Sequence, residues 1–190
     1  MTHVYRTTAA SAALLVAVFG VTGCGADSPS SSPSTSAAAA FDDADATFAS
    51  QMIPHHQQAV EMADLALRKA TTAEVKNLAT AIKAAQDPEI KQLSGWLTAW
   101  GRPVPTPGEH NGHGMAGMMG ADELAELSRA SGAMFDRMWT QMMIKHHQGA
   151  VAMAKTEQTT GKDPAAIALA KKIETTQTAE IATMQRLLGS

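Results

Sequence analysis

From residue 41 onward the apolar positions fall at helical spacing. Asp45, Phe48, Met52, His55, His56, Ala59, Met62 and Ala63 share one stripe at about 100° per residue, while Glu61 points away. The pattern predicts a helix from about Asp43 to Lys69. Thr71-Thr-Ala-Glu74 reads as a capping box opening a second helix to about Trp100. Val75, Leu78, Ala79, Ile82, Ile90, Leu93 and Leu97 mark its buried face, and Asp87-Pro88 should kink or restart it. A Pro/Gly-rich loop covers 101–121. A short helix capped by Asp122 runs to Ala130 and is broken at Ser131-Gly132. A long helix follows from about Ala133 to Thr159. Asp163-Pro164 then starts the last helix, which ends near Leu188. No segment reads as a strand.

The pattern is a duplication. Phe48, Met52-Ile53, His55-His56, Ala59-Val60 and Met62-Ala63 recur as Trp139, Met143-Ile144, His146-His147, Ala150-Val151 and Met153-Ala154. Every pair is 91 residues apart, as His55 is from His146, and Asp45 and Asp136 precede the two aromatics by three. The second helix of each half repeats as well. Leu78, Ala79, Ile82, Gln86, Glu89, Ile90 and Leu97 match Leu169, Ala170, Ile173, Gln177, Glu180, Ile181 and Leu188. Two like hairpins cannot each bury a face alone, so an all-α four-helix bundle with an approximate two-fold axis is expected.

The N-terminal residues change the picture of where the domain begins. Residues 1–23 read as a secretory signal: Arg6, an apolar run from Ala9 to Val21 too short to be a good membrane span, and small residues before Cys24. Val21-Thr22-Gly23-Cys24 resembles the lipobox of bacterial lipoproteins, which implies a lipid such as palmitate on Cys24. The alternative is a plain secretory signal with an incidental cysteine. Cys24 is the only cysteine, so no disulfide within the chain and no thiolate ligand inside the fold is available. Residues 24–40, rich in Ser, Pro and Ala, read as a tether. Residues 41–190 suit one domain with a core. The expected location is the cell envelope, outside the cytoplasm, with the membrane as partner through Cys24. Net charge is −3 and no basic stripe appears, which speaks against nucleic acid.

The unusual counts are 12 Met and seven His. Each repeat puts an acid, two imidazoles and two thioethers on the face a helix normally buries. Imidazole is the commonest side-chain metal ligand, and thioether sulfur selects copper(I). The candidate ligands are Met52, His55, His56 and Met62 in the first repeat and Met143, His146, His147 and Met153 in the second. Any single Met could instead be core filling. Asp45 and Asp136 are candidates too, though helix caps or partners that orient an imidazole suit them better. Gln86, Glu89, Gln177 and Glu180 either hydrogen-bond the histidines or are solvated. Burying four imidazoles without partners is costly, which favours metal. His110, His113, Met115, Met118 and Met119, set among loop glycines, compose a second candidate site for copper or a related soft ion, with silver as a mimic. A disordered linker is the alternative there. Zinc or another divalent ion would suit the His and leave the Met unused. No Glu-x-x-His, His-Glu-x-x-His, phosphate loop or nucleophile elbow occurs, so no enzyme class is signalled.

Met52-Ile53-Pro54-His55-His56 with Ala59-Val60 and Met62-Ala63 resembles the signature of the family called domain of unknown function 305. The stretch from Phe135-Asp136 through Met143-Ile144-Lys145-His146-His147 to Met153-Ala154 resembles it more closely. Pro54 and Lys145 occupy one position as variants. The resemblance covers about residues 41–188. It implies a ferritin-like four-helix bundle in secreted or envelope proteins, some of which bind copper and take part in copper tolerance. The expectation is therefore a lipid-anchored envelope protein that buffers or delivers copper(I), with a copper donor or acceptor protein as partner. Its rivals are a metal-dependent oxidoreductase and a structural or adaptor lipoprotein without metal.

Overall fold

A computed structural model describes residues 41–106 and 115–189. The signal segment, Cys24, the tether, His110 and His113 lie outside the described residues. Every regular element among the described residues is a helix: α1 (Asp43–Lys69), α2 (Ala73–Ala99), α3 (Ala121–Arg129), α4 (Gly132–Thr160) and α5 (Pro164–Gly189). The all-helical expectation holds.

Three local readings need correction. Pro88 does not break α2, which runs through it unbroken. Asp87 therefore does not cap a restarted helix, although the proline removes one backbone donor. The capping box at Thr71–Glu74 does not form: Thr72 caps α2 without a side-chain hydrogen bond. Asp136 of α4 takes the backbone N–H groups of Thr71 and Thr72 instead, at 3.0 and 2.9 Å. At α3 the cap is Gly120 rather than Asp122, and the Gly120 N–H donates to Glu123 at 2.8 Å.

α1 packs along α2, α4 along α5, and α1 against α4 joins the two hairpins, with α3 lying on α4. The core falls into two apolar clusters. One holds Met62, Leu78, Ile82, Leu127, Phe135, Trp139, Met143 and Met184. The other holds Phe48, Met52, Ile53, Leu93, Leu97, Ala150, Leu169 and Ile173. α1 therefore passes from the Phe48 cluster to the Trp139 cluster, and α4 passes the opposite way. Trp139 binds the halves further, its indole N–H donating to the Met62 carbonyl at 2.9 Å.

The hairpin turns are tied reciprocally. Asp136, near the start of α4, holds the α1–α2 turn as described. Asp45, near the start of α1, accepts from the N–H groups of Lys162 (3.0 Å) and Asp163 (2.9 Å) in the α4–α5 turn. Each half thus caps the other. Burial alone would raise both carboxyl pKa values, but the donated hydrogen bonds prevail and hold them below the ordinary aspartate value.

Candidate metal centre

The two apolar clusters are separated by a polar layer. On α1 it consists of His55 and His56, on α4 of His146 and His147, on α2 of Gln86 and Glu89, and on α5 of Gln177. All seven are buried, and Glu180 of α5 completes the layer from its edge. The four imidazoles have no exposed surface. The positions follow from helical spacing, since His55-His56 continue the stripe of Met52 and Ala59, and Gln86 and Glu89 lie one turn apart on α2.

The His55 and His146 rings lie across the α1–α4 contact with centroids 3.8 Å apart and planes tilted by 42°. The flanking rings are oriented by carboxylates. His56 Nε2 is 2.9 Å from Glu89 Oε2, and His147 Nε2 is 2.7 Å from Glu180 Oε2. Lys172 also reaches Glu89, at 3.1 Å. Desolvation would raise the Glu89 pKa, but the hydrogen bond from His56 and the contact with Lys172 hold it below its usual value.

These partners fix tautomers. A carboxylate or a carbonyl can only accept, so the Nε2 atoms of His56 and His147 carry the hydrogens. So does His55 Nε2, which stands 3.3 Å from the Ala116 carbonyl oxygen. The Nδ1 atoms of these three rings have no hydrogen-bond partner. Neither His146 nitrogen makes a well-formed hydrogen bond, the nearest acceptor being the His55 backbone. Desolvation first, then the neighbouring histidines, push His55 down to about 3 and His146 well below its ordinary value. Both rings are therefore neutral at physiological pH, the form that ligates a metal.

The end of the Met-rich loop closes over this layer. The Gln58 side chain donates to the Met119 carbonyl (2.9 Å) and accepts the Met119 N–H (2.7 Å). Gly149 is the second-repeat counterpart of Gln58, 91 residues on. A Cβ there would overlap the Ala116 carbonyl. Gly117 has a φ of +83°, and a Cβ on it would come within 2.7 Å of the Lys145 carbonyl oxygen. The repeat thus departs from symmetry where the loop must approach the helix.

The other candidates divide by place. Met52 is fully buried among the Phe48 cluster, and Met62 and Met143 are fully buried among the Trp139 cluster. Met153 is partly buried against the Phe48 cluster. Met119 is buried, while Met115 and Met118 are half-buried in the loop. Asp45 and Asp136 are engaged at the turns, about 15 Å along the helix from their histidines. Among the described residues no three His, Cys, Asp or Glu side chains converge as a metal-holding group. Gln58, Gly149, the Ala116 carbonyl and Lys172 were not singled out from the sequence. The Gln-to-Gly change between repeats was the available signal for the first two.

The model of the family described as "Domain of unknown function (DUF305)" matches residues 45–188. No curated protein matches the chain. Among solved structures, a candidate secreted DUF305 protein from Streptomyces coelicolor is 34% identical, with a TM-score of 0.71 over 77% of this chain and 92% of that one. CopM in its Cu(II)-bound form is 41% identical, with a TM-score of 0.68 over 76% of this chain and 95% of that one. CopM in its Cu(I)-bound form is 38% identical, with a TM-score of 0.64 over 75% and 94%. CopM is also known in a silver-bound form. No helix among the described residues is long and apolar enough to cross a membrane.

Proposed function

The chain belongs to the DUF305 family, and from that membership we propose that it binds copper(I) in the cell envelope and buffers it or passes it on. The two hairpins are read as a ferritin-like four-helix bundle whose polar middle layer is the binding centre. The observation that carries this is the His55–His146 pair, buried at a centroid separation of 3.8 Å with Nδ1 atoms that have no hydrogen-bond partner. Four buried imidazoles without a ligand to satisfy those nitrogens are costly. A centre in which no three His, Cys, Asp or Glu side chains of the described residues converge suits a soft ion of low coordination number better than zinc. The Cu(I)-bound and silver-bound forms of CopM support the same choice.

In this reading Glu89 and Glu180 orient the flanking rings rather than ligate. In the same reading the loop residues Met115, Met118 and Met119, with His110 and His113, form a second capture site. Cys24 carries the lipid that holds the domain to the membrane, and residues 24–40 give it reach. Competition of the purified protein against a chromophoric copper(I) chelator tests the proposal. Withdrawal of copper(I) from the chelator, weakened in a His55→Asn, His146→Asn variant, is expected. No withdrawal by the unaltered protein would end it.

A further inference from the structure

Three methionines of α4 are not used by the centre. Met134, Met138 and Met142 are four residues apart on α4, and the next step of four is His146. Steps of four keep neighbouring Cβ atoms about 5–6 Å apart while turning about 40° around the helix each time, so the row winds from the exposed face at Met134 to the buried face at His146. The row spans about 18 Å from Met134 to His146 at the rise of an α-helix. Burial grows along it. Met134 is 69% exposed, Met138 and Met142 are partly buried against the Trp139 cluster, and His146 is fully buried.

Core packing accounts for Met138 and Met142, which lie against the Trp139 cluster, but not for Met134. The row's counterparts in the first repeat are Asp43, Thr47 and Gln51, so the same helix in the same fold is built with polar residues there. A large apolar side chain at 69% exposure adds little to a core. The row also ends on the one histidine of the four neither of whose ring nitrogens makes a well-formed hydrogen bond. Met115 and Met118 flank Gly117, whose backbone approaches the carbonyls of Lys145 and His146.

We propose that Met134, Met138 and Met142 form a transfer row that takes a soft monovalent cation, copper(I) or silver(I), at the exposed end of α4 and passes it to His146. It rests on the copper(I) reading of the centre. Flexible thioethers one turn apart can share one ion, and Met138 belongs to both pairs in the row. An ion can therefore move from one pair to the next without being released to water. The thioethers are uncharged and do not titrate, so the row works at any pH at which the fold stands.

The test is silver(I) nitrate titration of the full-length protein labelled with ¹³C at the methionine methyls. Shifts of the Met134, Met138 and Met142 methyls during loading are expected. A Met134→Leu, Met138→Leu, Met142→Leu variant conserves volume. It is expected to bind copper(I) at equilibrium within about twofold of the unaltered protein yet load from a chelator roughly tenfold more slowly. If the protein takes up silver(I) while these three methyls stay still, the row is wrong and the centre stands. If it takes up neither silver(I) nor copper(I), the reading of the centre has failed. Unchanged loading by a folded Leu variant also overturns the row.

Discussion

Gln58 and Gly149 hold the same position in the two repeats and do opposite work. Gln58 grips the Met119 backbone with two hydrogen bonds, at 2.9 and 2.7 Å. Gly149 leaves the space that the Ala116 carbonyl enters. One loop end can thus close over a layer contributed by both halves.

Gly149→Ala is expected to push that loop end off the helix and to cost about 1–3 kcal/mol, as overpacking does. Gln58→Ala is expected to cost a similar amount by leaving the Met119 backbone groups without their partner. In both variants copper(I) should leave faster. Thermal melting and chelator-driven release kinetics check this. Unchanged release from the folded variants would show that the loop does not cover the centre.

The carboxylates that orient His56 and His147 should matter for affinity more than for folding. Glu89→Gln or Glu180→Gln is expected to weaken copper(I) binding by about 10–100-fold, the usual effect of losing a partner that orients a ligating imidazole. Chelator competition reads it directly.

Asp45 and Asp136 should behave in the reverse way. Asp136→Ala leaves the N–H groups of Thr71 and Thr72 without their acceptor and is expected to destabilise by about 1–3 kcal/mol. Copper(I) affinity should stay as it was. A large loss of affinity in a folded Asp136→Ala variant would mean that the turn is coupled to the centre.

Stability should also depend on pH through Glu157. Burial first, then the neighbouring Asp45, push its carboxyl up to about 8 from an ordinary 4.5. The folded state then holds a proton that the unfolded state has lost between those values, so stability falls as pH rises from about 4.5 to about 8. The slope is at most about 1.4 kcal/mol per pH unit for one group. Glu157→Gln cannot lose that proton. It is expected to melt higher at pH 8 and to flatten the slope, which chemical denaturation across this range would show.

Much of this was legible in the chain. The 91-residue duplication and the 3.6-residue period set the helices and placed both histidine doublets on buried faces. The reciprocal tying of the turns was not legible. Asp45 and Asp136 read as caps of their own helices; Asp45 does accept the Asp42 N–H at 2.7 Å in the capping box of α1, but both also hold partners from the opposite hairpin, Lys162 with Asp163 and Thr71 with Thr72. Period and propensity carry no information about contacts between elements distant in the chain. Pro88 read as a kink or a restart, and the restart is absent because α2 continues through it. Glu89 and Glu180 could be named as partners or as solvated residues, and only the packing of α2 and α5 decided between them.

The most direct measurement is ¹⁵N NMR of the histidine rings before and after one equivalent of copper(I). His55 Nδ1 and a ring nitrogen of His146 should move from the chemical shift of an unprotonated lone pair to that of a metal-bound nitrogen, while the Nε2 protons of His56 and His147 stay in place. If copper(I) binds and both rings keep the shifts of the metal-free protein, the buried pair is not the centre.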